Sequence, residues 1–131
     1  MTPELTYLAW TAFLTGALWV PYVTAQVMVN GLLTPRDYTD PASPRPLPYW
    51  GMRANRAQLN AVESFAPFAA MVLILHLTGQ ENATTATLCM AFFWLRLVHA
   101  VVHLMGLAYV RTVVFTLAWL VEVGLFWQIV T

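Results

Sequence analysis

A chain of 131 residues is long enough for one domain and too short for two independent cores. Hydrophobic residues make up 60% of it and charged residues 9%, against about 25% charged in a soluble domain, so a soluble globular protein and a disordered chain are both excluded. Six Arg, no Lys and six acidic residues give a formal net charge of +0, which excludes the basic face of a nucleic-acid binder and leaves an integral membrane protein in contact with the lipid bilayer.

The elements follow in chain order. A spanning helix needs about 20 mostly apolar residues, and 5–29 supplies the first, interrupted only by Thr, Gly16, Pro21 and Gln26. Thr2-Pro3-Glu4 reads as its start: a capping hydroxyl, a proline in the first turn and an acid at the positive end of the helix dipole. The missing basic n-region argues against a cleaved signal peptide. Pro21 is expected to kink this helix without ending it. Residues 34–50 form the one long loop, extended by Pro35, Pro41, Pro44, Pro46 and Pro48, with Tyr49 and Trp50 in an interfacial belt. The second span covers about 53–77, polar in its first third and kinked at Pro67. Thr78 to Asn82 makes a tight turn, with Gly79 as terminator and Asn82 as cap. The third span covers about 83–105 and ends at Gly106; the fourth covers about 112–130. Short second and third loops make neighbours antiparallel, so the expected fold is an all-α four-helix membrane bundle, one domain over 1–131. The single Cys89 permits neither an intrachain disulfide nor a cysteine metal cluster.

Arginine placement orients the bundle. Arg36, Arg45, Arg53, Arg56 and Arg111 fall on one side; the termini and loop two carry no Arg or Lys. The positive-inside rule puts loops one and three in the cytoplasm and both termini opposite.

Ionisable groups within spans are costly and gather in bundle interiors or wet cavities. The second span carries Arg56, Asn60 and Glu63 at i, i+4, i+7; the third carries Arg96, His99 and His103 at i, i+3, i+7. Each set shares one helix face. At about 1.5 Å per residue the sets match in depth: Glu63 and Arg96 at about 16 Å, Asn60 and His99 at about 12 Å, Arg56 and His103 at about 6 Å. This predicts a structural Glu63–Arg96 ion pair and a polar cavity open to the cytoplasm. The competing reading is that these groups only hold helices together; for Arg56, Asn60, His99 and His103 a binding site is favoured, because the polarity exceeds what packing needs. His76 reads as an interfacial histidine, and Glu122 has no obvious partner. His99 and His103 have a metal-ligand spacing, but flanking arginines repel a cation, so no metal is expected. No phosphate loop or nucleophile elbow is present, and neither Ser64 nor Thr112 has triad surroundings.

The run Arg56-Ala57-Gln58-Leu59-Asn60-Ala61-Val62-Glu63, followed by Pro67-Phe68, resembles the second-helix signature of the MAPEG family, the membrane-associated proteins in eicosanoid and glutathione metabolism. Arg96-Leu97-Val98-His99 with His103, and Arg111-Thr112 at the start of the last span, agree with it, as do the size and the proline-rich first loop. The resemblance implies a homotrimer with glutathione as co-substrate, bound at the subunit interface by Arg56, Asn60, Glu63, His99 and His103. It implies that Arg111 sits beside the thiol and favours its thiolate, with Thr112 where some members have Ser. Glutathione has two carboxylates and one amine, which arginines and a carboxylate respectively suit, and its thiolate is the nucleophile.

His103 stands where many eukaryotic members have Tyr, Leu59 where some have Arg, and Asn30-Gly31 where synthases carry Arg. The mixture resembles a bacterial, inner-membrane member more than an eicosanoid synthase. The expected activity is a membrane-bound glutathione-dependent transferase or peroxidase acting on a lipophilic electrophile or lipid hydroperoxide. The alternative is a non-enzymatic protein of the same fold whose cavity binds lipid or a small amphiphile. A small transporter is the weaker third reading, since no inverted repeat is visible.

Overall fold

The structure, a computed structural model, describes residues 1–32 and 46–131. Most of the expected proline-rich loop, with Arg36 and Arg45, lies outside the described residues. Five helical segments make four membrane-crossing lengths: α1 (Pro3–Ala17) with α2 (Trp19–Asn30), α3 (Tyr49–Thr78), α4 (Ala83–Met105) and α5 (Ala108–Val130). The protein is an integral, multi-pass, all-helical membrane protein.

The ends of these helices follow local chemistry. Thr2 caps α1 by accepting from the Leu5 N–H at 3.3 Å, with Pro3 at the first helical position. The first span breaks at Leu18, one turn before Pro21. Proline offers no N–H to the Ala17 carbonyl and its ring crowds it, so the break falls where the missing bond would have been. Pro67 stays inside a continuous α3; the carbonyl it leaves without an i+4 donor is that of Glu63. Asn82 and Thr85 form a reciprocal capping box at the start of α4. Gly79 and Gly106 end α3 and α4 in left-handed conformations, φ 68° and 79°.

Two boundaries differ from expectation. α3 begins at Tyr49, so Tyr49 and Trp50 belong to its first turn and not to the loop. α5 begins at Ala108, so Arg111 lies in a helix and not in loop three. In both cases an extended residue, Pro48 or Leu107, precedes the helix and serves as its N-cap, and neither start needs the apolar run by which a span is recognised.

Helices α3 and α4 form the centre. α1 packs on both, α2 lies along the start of α3, and α5 packs against α3 and α4 on the other side without touching α1 or α2. Gly51 allows the close α2–α3 approach: a Cβ there would lie 2.8 Å from Ala25 Cβ. The main apolar core joins Phe68, Val72 and Leu75 of α3 to Cys89 and Phe92 of α4 and Ala118 and Leu125 of α5. Phe68 and Phe92 stack with centroids 4.0 Å apart. Large apolar side chains such as Phe13, Leu77, Trp94, Phe126 and Trp127 cover the outside, as a lipid-facing surface requires.

Candidate functional site

Below the apolar core, α3, α4 and α5 diverge around a polar cavity of about 360 Å³. Arg56, Asn60 and Glu63 line it from α3, His99 and His103 from α4, and Arg111 and Thr112 from α5. The structure therefore brings together all seven residues singled out as catalytic or ligand-binding. Leu59 and Phe115 complete the wall. Phe115 was not anticipated; it stands four residues after Arg111 on the same face of α5, and that spacing was the available signal. Its ring lies 6.2 Å from that of His99.

The helices differ in what they offer. On α4, Arg96, His99 and His103 are buried, at 4%, 2% and 6% exposure. On α3, Arg56, Leu59 and Glu63 are exposed in the single chain, as are Thr112 and Phe115 on α5. The cavity thus has a closed wall and an open side.

The expected Glu63–Arg96 ion pair is not formed. Arg96 Nη2 donates instead to Asn60 Oδ1 at 2.7 Å, and among the described residues the only ion pair within 4 Å is His76–Glu81. Equal depth fixes position along a helix but not around it. At about 100° per residue, Asn60 lies about 60° around α3 from Glu63, on the flank that faces α4, while Glu63 points to the open side. Asn60 therefore has two roles, partner of Arg96 and lining of the cavity.

Much of the polar capacity here is unused. Arg96 Nη1, His99 Nδ1 and both ring nitrogens of His103 are buried without a hydrogen-bond partner. Arg56, Glu63 and Arg111 make no hydrogen bond or ion pair among the described residues. The Thr112 hydroxyl donates to the Ala108 carbonyl at 3.2 Å, so it meets a ligand as an acceptor. The two imidazoles meet edge to face, centroids 5.4 Å apart. Buried polar groups are normally satisfied, and a cluster of unsatisfied donors and acceptors facing a cavity is complementary to a polar, charged ligand. Among the described residues no three His, Cys, Asp or Glu side chains converge as metal ligands. Glu122 lies apart, beside a void of about 20 Å³ that it shares with Ser64, and its Oε1 is buried without a partner.

Fold and site together define a class: a four-span membrane protein with a charged pocket inside the bundle, walled by three helices. The MAPEG family profile matches residues 7–131, nearly the whole chain, and the chain belongs to that family. Comparison with curated proteins and with solved structures gave no match.

Proposed function

We propose that the protein is a membrane-bound glutathione-dependent transferase or peroxidase that acts on lipophilic electrophiles or lipid hydroperoxides. One observation carries this reading: in a MAPEG chain, two unpaired arginines, one unpaired carboxylate and two unsatisfied imidazoles share a cavity of about 360 Å³. That size is within the range of small-molecule sites.

In this reading Arg56 receives a glutathione carboxylate and Glu63 the α-amine. His99 and His103 take up the remaining polar groups of the peptide with their free ring nitrogens. Arg111 stands beside the sulfur, where a guanidinium favours the thiolate. Thr112, bound to Ala108, accepts the S–H before the proton leaves. The thiolate then attacks the electrophilic carbon of a substrate arriving from the bilayer past Leu59 and Phe115, and a C–S bond forms as the leaving group departs. With a hydroperoxide the thiolate attacks the outer oxygen, the O–O bond breaks, the alkoxide takes a proton and leaves as the alcohol, and the glutathione sulfenic acid so formed reacts with a second glutathione to give glutathione disulfide and water.

The exposure of Arg56 and Glu63 at membrane depth supports assembly with further copies of the chain, a homotrimer by family resemblance, since charges facing lipid are costly. The positive-inside rule puts the open end of the cavity in the cytoplasm.

The test is glutathione binding to purified protein, read by ultraviolet absorbance of the thiolate, for wild type and Arg111→Ala. The expected result is saturable binding with a thiolate band that Arg111→Ala loses. No saturable binding at millimolar glutathione overturns the reading and favours a non-enzymatic protein that binds lipid or an amphiphile. Binding with an unchanged band in Arg111→Ala overturns only the assignment of thiol activation.

A further inference from the structure

A second cavity, of about 150 Å³, adjoins the first at the end of the bundle that carries the α4–α5 turn. Arg53, Arg56 and Arg111 line it, with His103 and the Gly106–Ala108 backbone, and no acidic side chain does. Arg56, His103 and Arg111 also line the larger cavity; Arg53 belongs to the smaller one alone.

Arg53 is held in place. Its Nε donates to the Leu104 carbonyl at 3.0 Å, one of the α4 carbonyls left without an intrahelical donor. Gly106 makes room for it: a Cβ there would lie 3.2 Å from Arg53 Nε. Neither Nη atom of Arg53 has a hydrogen-bond partner among the described residues. Arg56 and Arg111 likewise have none among the described residues. Across the cavity, α5 starts without a side-chain cap, so its first N–H groups are open donors. His103 is 6% exposed, and neither of its ring nitrogens has a hydrogen-bond partner.

Three guanidiniums around one small space repel each other, and partial burial strengthens that repulsion. An anion between them offsets that repulsion. Guanidinium forks match the oxygens of a phosphate group in pairs, and the α5 N-terminus adds backbone donors. The geometry points to an oxyanion site for a phosphate group, held by Arg53, Arg56 and Arg111 against the α4–α5 turn. Two sources can present that chemistry: a phospholipid headgroup, since the site lies at a helix end beside the exposed Met105 and Tyr109, or a soluble phosphate-bearing molecule. The site shares residues with the proposed glutathione pocket, but it does not rest on that reading.

The experiment measures binding of inorganic phosphate to the full-length protein in a non-ionic detergent, at constant ionic strength made up with chloride and without glutathione. Saturable binding is expected, and Arg53→Gln should weaken it roughly tenfold or more, the loss of one charge-assisted hydrogen-bond set. Arg53→Gln should leave glutathione binding unchanged. If Arg53→Gln does not fold, Arg53→Lys, which keeps the charge, replaces it and should weaken phosphate less.

The lipid arm uses nanodiscs of phosphatidylcholine with or without phosphatidylglycerol, read by native mass spectrometry. Retention of phosphatidylglycerol by wild type and its loss in the variant identify the headgroup as the source. Phosphate binding without lipid retention identifies a soluble ligand. Absence of both in wild type overturns the proposal, as does phosphate binding that the Arg53 variants do not change. An equal loss of phosphate and glutathione in Arg53→Gln overturns it as a separate site. Failure of wild type to bind glutathione while it binds phosphate overturns only the proposed function.

Discussion

The two ends of the bundle are both polar and both hollow, yet they are built on opposite terms. At the end where α1 starts and α3 turns into α4, a cavity of about 390 Å³ is lined by Thr2, Glu4, Glu81 and Asn82. Nearly every polar group there has a partner. Glu4, 2% exposed, accepts from Thr85 Oγ1 at 2.5 Å. Glu81 accepts from Thr2 Oγ1 at 2.8 Å and faces His76 Nδ1 at 3.3 Å. Asn82 caps α4 and reaches Gln128. At the other end a cavity of similar volume, about 360 Å³, is surrounded by donors and acceptors most of which no described residue satisfies. Cavity size therefore does not separate structure from function in this molecule. Partnering does: satisfied polar groups join helices, and under the proposed function the unsatisfied ones that line the cavity are left for a ligand.

The comparison breaks most readily at Arg111. A group that serves a ligand should matter for chemistry and not for folding. Arg111→Ala is expected to lower the rate of glutathione conjugation by about 10²–10³-fold, the usual result of removing one donor to a developing anion. It should leave the unfolding midpoint in detergent nearly unchanged, because Arg111 has no hydrogen-bond or ion-pair partner to lose among the described residues. A large drop in midpoint with little change in rate would make Arg111 structural and remove the contrast. Asn60 tests the boundary, since it belongs to both categories. Asn60→Leu deprives buried Arg96 of its 2.7 Å bond and should cost about 1.5–3 kcal/mol in unfolding free energy, while weakening glutathione binding as well. Loss of only one of these would place Asn60 wholly on one side.

Much of this was legible in the sequence. Four apolar runs, the Asn82 cap and the glycines at 79 and 106 follow from local rules and appear in the structure. The polar faces of α3 and α4 were also legible, because 3.6-residue periodicity puts i, i+4 and i+7 together. The partner of Arg96 was not. Depth along two antiparallel helices can be counted from their ends, but rotation about each axis is set by packing, and it turned Asn60, not Glu63, toward Arg96. Arg53 was legible only as a marker of orientation, for a different reason: its anchor is a backbone carbonyl, which no side-chain motif advertises. The Glu4–Thr85 contact joins residues 81 apart in the chain, and only the packing of α1 on α4 brings them together.

The partnered end yields smaller effects, and of the opposite kind. Thr85→Val keeps the shape of the side chain but leaves Glu4 Oε1 without its donor and the Asn82 N–H of the capping box without its acceptor. The expected cost is about 1–3 kcal/mol, read as a lower unfolding midpoint with glutathione binding intact. If binding fell in step with stability, the two ends would be coupled and the division between them would fail.

The smallest effect is expected at His76. It forms the one ion pair within 4 Å among the described residues, and a count of salt bridges would rank it first. The physical argument ranks it last. The His76 side chain is 42% exposed, so water already solvates it, and exposed pairs contribute about 0–1 kcal/mol. Glu81 also keeps its bond from Thr2 when His76 is removed, so no buried charge is stranded. His76→Ala, measured alone and in a double-mutant cycle with Glu81→Gln, should therefore give a coupling below about 1 kcal/mol. A coupling several times larger would mean that exposure in the single chain does not describe His76 in the membrane, and that this end of the bundle is also covered by a partner.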